Sequence, residues 1–98
     1  MSFNLYVRPL PVNVPEPESF YDLKHLLAEA GFFPSSSLRS EPVQIDPKLY
    51  PSIKLVFQGA MAVMGKDDDR RTAIKEFEAI MDNNPQGIEM WIGDGDDY

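Results

Sequence analysis

Ile88-Glu89-Met90-Trp91-Ile92 is the stretch on which the fold turns, because its apolar residues recur at every second position. A strand with that period puts Ile88, Met90 and Ile92 on one face and Glu89 and Trp91 on the other. A second run far away in the sequence, Phe3-Asn4-Leu5-Tyr6-Val7-Arg8, has the same period with aromatic and β-branched content, and Pro9 closes it. Phe3, Leu5 and Val7 form its inner face. The two runs predict terminal strands in one small sheet, with Tyr6, Arg8, Glu89 and Trp91 facing outward or towards another layer.

Three helical patterns lie between them. The first opens at Ser19, with Asp22 three residues on as a relative of the capping box, and runs through Phe20, Leu23, Leu26, Leu27 and Ala30 to Gly31. The second covers Ser52 to Met64 and stops at Gly65; nine of its thirteen residues are apolar. A helix apolar nearly all round is expected to be buried on more than one side, as the central core element or as half of a subunit interface. Its first part, Ile53-Lys54-Leu55-Val56-Phe57, is also short enough to read as a strand. The third pattern follows Asp67-Asp68-Asp69 and Arg70-Arg71, and sets Ala73, Ile74, Phe77, Ile80 and Met81 on one face. Asn83-Asn84-Pro85-Gln86-Gly87 then stops the helix and turns the chain.

The connections are rich in proline. Residues 9–18 hold Pro9, Pro11, Pro15 and Pro17 and read as a stiff connector, since no two of these prolines have the spacing of a PxxP ligand. Residues 32–52 form a long loop in which Pro42-Val43-Gln44-Ile45 is a candidate edge strand. Residues 93–98, Gly93-Asp94-Gly95-Asp96-Asp97-Tyr98, read as a polar tail. The expected fold is therefore a single α+β domain over residues 1–98, with about three helices on one face of the sheet.

Composition narrows the class. The chain has 98 residues, 16 acidic and 9 basic, one histidine and no cysteine, which excludes disulfide frameworks, cysteine metal sites and thiol nucleophiles. Met1 to Arg8 lacks the basic and apolar regions of a signal peptide, and the nearly apolar run Ile53 to Met64 is too short to span a bilayer, so a cytoplasmic protein without membrane contact is expected. Residues 1–75 carry nine acids and all nine bases and sum to zero. The entire formal charge of −7 thus comes from Glu76, Glu78, Asp82, Glu89, Asp94, Asp96 and Asp97. Such a negative pole disfavours phosphate backbones and steers a basic partner; the plainer reading is a solvated acidic tail.

Catalytic and metal motifs are sparse. His25 shares a helix face with Asp22 and Glu29, an arrangement that orients a general base but equally describes any charged helix surface. Asp94, Asp96 and Asp97 lack the spacing and following glutamate of a calcium loop, and Asp67 to Asp69 read as a helix start. Gly93-Asp94-Gly95 has no helix behind it to make a phosphate site. Pairing of Glu76, Glu78 or Glu89 as in a glycosidase needs a sugar-sized cleft, which this length does not favour. Arg70 and Arg71 are the only adjacent bases, so direct nucleic-acid binding is not expected. No catalytic residue, metal site or cofactor is assigned.

What remains is interaction chemistry. An aromatic pair rimmed by carboxylates is a protein-binding hot spot if it is open, and a covered core tryptophan if it is not. The sequence points first to a non-enzymatic protein that inhibits or neutralises a basic protein, or the basic surface of a nucleic-acid-handling complex, as immunity proteins and phage-encoded inhibitors do. Its candidate contacts are Tyr6, Glu78, Asp82, Glu89, Trp91, Asp94, Asp96, Asp97 and Tyr98. The alternatives are a homo-oligomeric subunit assembled through the helix at 53–64 and a small hydrolase using His25 or paired carboxylates.

Overall fold

The computed structural model describes residues 3–10, 17–20 and 23–94. The two alternating runs pair with each other along their whole length, as β1 (Phe3–Pro9) and β4 (Ile88–Asp94), with Leu5 opposite Ile92 and Val7 opposite Met90. Two three-residue strands extend this pair. β2 (Glu18–Phe20) adds to the free side of β1 and β3 (Val43–Ile45) to that of β4, giving the order β2-β1-β4-β3 with every neighbour antiparallel. Beyond β3 the ladder is continued by Ser40, whose N–H donates to the Ile92 carbonyl while its hydroxyl accepts the Ile92 N–H.

The helices are α1 (Lys24–Glu29), α2 (Tyr50–Val63) and α3 (Arg70–Asn83). All pack on the sheet face that carries Leu5, Val7, Phe20, Ile45, Ile88, Met90 and Ile92, and together they make one core. The expected α+β architecture with its helices on one face is the one observed. Phe77 sits at its centre, with Phe20 of β2 at 5.5 Å and Phe57 of α2 at 5.3 Å between ring centroids. The row Ile74, Phe77 and Met81 is fully buried, as the third helical pattern predicts.

Four sequence readings are corrected. Ser19 and Phe20 belong to β2, because Phe20 gains a cross-strand partner in Leu5 and a place beside Phe77 that a helix start would forfeit. The first helix begins only at Lys24, and Asp22 lies outside the described residues. The edge strand expected within Pro42–Ile45 is present as β3, and it is the remainder of the long loop that is corrected: a 3-10 turn at Pro47–Leu49 leads straight into α2, which starts at Tyr50 with Pro51 in its first turn, where a missing N–H costs nothing. Gly93 and Asp94 are not tail but strand, held opposite Asn4 and Phe3.

The predicted all-round burial of the second helix is also not found. Tyr50, Ile53 and Phe57 enter the core, while Leu55 is 68% exposed and Val63 87%. α1 and α3 flank α2 and the sheet lies beneath it, so its outward side is left to solvent among the described residues.

Short-range chemistry fixes the helix ends. Arg71 donates to the carbonyls of Met61, Met64 and Gly65, neutralising the negative end of α2 from the first turn of α3. Asp68 accepts the Arg70 N–H at 2.9 Å and grips its guanidinium, and these hydrogen bonds hold the Asp68 carboxyl at a pKa of about 2. A depressed folded-state value stabilises the protein above the unfolded value, and that contribution is lost as pH falls through the folded one. Urea midpoints measured from pH 5 to pH 2 should therefore fall less steeply for Asp68→Asn than for the parent below about pH 4. Superimposable profiles would show that the pair adds no stability.

Gly87 closes the turn between α3 and β4 at φ +120°, and a Cβ there would lie 3.0 Å from the Ile45 carbonyl oxygen and 3.2 Å from Leu10 Cδ1. Backbone strain and a backbone clash act together. Gly87→Ala is expected to cost roughly 2 to 3 kcal/mol, which lowers the thermal midpoint by about 10 to 20 °C. An unchanged midpoint would show that the turn relaxes freely.

Candidate functional site

The alternation that buries Leu5 and Val7 carries Asn4, Tyr6 and Arg8 to the other side of the sheet. Glu89, Trp91 and Gly93 lie opposite them on β4, with Ser19 and Gln44 on the flanking strands. Tyr6 and Trp91 are direct cross-strand partners, and their rings stack with centroids 5.6 Å apart and planes 24° from parallel. Cross-strand aromatic pairs of this kind fix both side chains, so the indole is held in one orientation.

Arg8 completes the arrangement. Its guanidinium carbon lies 4.9 Å from the Trp91 ring centroid, in cation-π contact. Its Nε donates to Glu89 Oε2 at 2.8 Å, and Nη2 forms an ion pair with the same oxygen at 2.7 Å. The Glu89 side chain is only 8% exposed against 28% for Arg8, so the pair is half withdrawn from water. Tyr6 is buried, at 1% exposure, and Trp91 is half-buried. Tyr6 therefore acts as the floor beneath Trp91 and not as a direct contact, and Glu89 as the anchor that holds Arg8 in place.

The sheet divides the remaining candidates. Glu78 and Asp82 stand on α3, on the helical side, where Asp82 Oδ1 is 2.7 Å from Lys54 Nζ of α2. That hydrogen bond, aided by the charges of Asp82 and Glu78, holds Lys54 above the ordinary lysine value. Asp94 is half-buried at the end of β4, and Asp96, Asp97 and Tyr98 lie outside the described residues. The negative pole counted along the sequence is thus not one surface among the described residues. Of the β4 acids, Glu89 takes the outer face, while Asp94, at the parity of Ile92 and opposite Phe3, falls on the helical side.

His25 is exposed and its Nδ1 lies 2.8 Å from the Ser36 hydroxyl, a contact with the following loop. A groove of about 430 Å3 also runs between α1 and α2, lined by Leu26, Val56, Ala60 and Val63 with Glu29 and Arg70 beside them. The sequence reading did not anticipate it, because a groove between two helices depends on how they pack and not on either pattern alone. The Arg8 contact with Trp91 was missed as well; the diagonal neighbour of a cross-strand pair is readable once the register is known. Among the described residues no helix is long and apolar enough to cross a membrane. Comparison with protein families, curated sequences and solved structures finds no match to the chain.

Proposed function

We propose that the chain is a non-enzymatic binding protein that captures a basic protein partner through the outer face of its sheet, with Trp91 as the anchor. The observation that carries this reading is the fixing of a half-buried indole by Tyr6 and Arg8 on the face away from the helices. A tryptophan restrained in this way loses little conformational entropy when it is covered, which is what distinguishes a binding hot spot from ordinary surface. The nature of the partner follows from charge. The chain as a whole carries a formal charge of −7, while on the face itself Arg8 and Glu89 compensate each other, so a basic surface is steered to the molecule by its overall field and not by this strand. Occupying such a surface on a nucleic-acid-handling protein would neutralise it.

Trp91 is the only tryptophan, so its fluorescence reports this face directly. The test is capture from the host's lysate at low and high salt, followed by titration of the purified partner. A basic protein is expected to be retained at low salt, to be released at high salt and to shift the Trp91 emission. Trp91→Ala should weaken that partner at least 30-fold, as loss of a central aromatic anchor does, while keeping the circular dichroism spectrum of the parent. Undiminished affinity of Trp91→Ala would reject the face.

A further inference from the structure

We infer that Glu89 and Gln44 form a seat for one lysine side chain of the partner, whose ammonium donates to Glu89 Oε1. This inference rests on the outer face of the sheet as the surface that captures the partner, and it names the chemistry selected there. It starts from how Arg8 holds the carboxylate. Arg8 Nε and Nη2 meet the same oxygen, Oε2, at 2.8 and 2.7 Å. The other oxygen, Oε1, bonds to none of the described residues. It is not sealed in either, because no buried side-chain oxygen among the described residues lacks a partner. Oε1 thus opens to solvent from a side chain that is only 8% exposed. A charged donor that replaces the water on such an oxygen makes a strong hydrogen bond in poorly screened surroundings.

A second acceptor lies next to it. Gln44 stands directly opposite Glu89 on β3, exposed and on the same outer face. Side chains paired in this way start about 5 Å apart, so the amide oxygen of Gln44 and Oε1 of Glu89 can converge on one donor. An ammonium carries three donors and no acceptor. The two oxygens take two of them and water keeps the third.

A guanidinium fits less well. It pairs best with both oxygens of a carboxylate at once, and Arg8 already occupies Oε2. The apolar stem of a lysine lies along half-buried Trp91, which follows Glu89 by two residues on the same face of β4. Arg8 repels a second cation, so the seat is weak for a lone ion and depends on the contact of the stem with the indole.

The test titrates an acetylated tripeptide amide, leucine-lysine-leucine, into the full chain at constant ionic strength. Heteronuclear NMR follows the Gln44 side-chain amide and the Trp91 indole N–H, and saturable shifts of both are expected. The same peptide with its lysine Nζ acetylated should shift neither, and an arginine analogue should bind at least about threefold more weakly. Glu89→Gln keeps an amide oxygen for Arg8 but removes the charge, and should weaken the lysine peptide at least about tenfold. Gln44→Leu, on an exposed strand position, should weaken it about threefold with the core untouched. No saturable shift, or equal shifts from the acetylated peptide, overturns the seat. So does a folded Glu89→Gln that binds as tightly as the parent. For the protein captured from lysate, affinity lost in Trp91→Ala but kept in Glu89→Gln overturns the seat and leaves the face standing. Indifference to both variants rejects both.

Discussion

Phe77→Ala is expected to lower the unfolding free energy by about 3 to 5 kcal/mol, the cost of removing a fully buried aromatic ring and leaving a cavity. Set against the roughly 5 to 15 kcal/mol that holds a domain of this kind together, that removes between about a fifth and all of the stability. The effect is large because of what the ring joins. Phe77 touches Phe20 at the edge of the sheet and Phe57 on α2 with tilted and edge-on geometries, so one side chain connects β2, α2 and α3. Truncation withdraws partners from all three at once. Urea unfolding followed by far-UV circular dichroism measures it, with Phe77→Leu as the milder variant that keeps most of the volume. A loss below about 1 kcal/mol for Phe77→Ala would mean that its neighbours close the gap and that Phe77 is not the centre of the core.

The second large effect is expected at the outer face. Arg8→Met keeps the apolar stem but removes the guanidinium, leaving the Glu89 carboxylate at 8% exposure without the partner that compensates its burial. Breaking a buried pair from one side typically costs about 3 to 5 kcal/mol, and the partial exposure of Arg8 reduces this to roughly 2 to 3 kcal/mol. Removing both charges is a different matter. Arg8→Met combined with Glu89→Leu should recover the parent stability to within about 1 kcal/mol, because no ion is then left buried. A double-mutant cycle by urea unfolding separates the two cases, and additive losses would show that Arg8 and Glu89 act independently. The Trp91 emission maximum should change in both Arg8 variants, since the cation over the ring is gone.

These effects also indicate which parts of the molecule could be read in advance. The period-two runs at Phe3–Val7 and Ile88–Ile92 revealed the central strands because apolar residues recur at every second position in each, so hydropathy alone records which residues share the core face. The α3 row Ile74, Phe77, Met81 was legible for the same reason at helical spacing. β2 was not, because three residues are too few to establish a period and Ser19 resembles a helix cap as much as an edge-strand residue. Hydropathy also misled at α2. It records what each residue prefers, not whether the fold supplies a neighbour, and the fold covers Ile53 and Phe57 but leaves Leu55 and Val63 open.

The candidate site divides along the same line. Tyr6 and Trp91 were expected on the outward face, but their stacking depends on register, which is a property of the strand pair and not of either run. The acids at Glu78, Asp82, Glu89 and Asp94 are close in sequence, yet a turn at Gly87 sends α3 and β4 into different layers. Counting charge along the chain could not anticipate that separation.

The pairing of β1 with β4 also constrains how the protein comes into being. Arg8 and Glu89 are 81 positions apart, so at roughly 5 to 20 residues per second the ribosome takes about 4 to 16 s to supply the strand that β1 needs. For that time an apolar ribbon waits with one edge unpaired, while α1, α2 and α3 can form behind it from local contacts. The sheet closes only when β4 emerges, so the outer face is assembled after all three helices have been made.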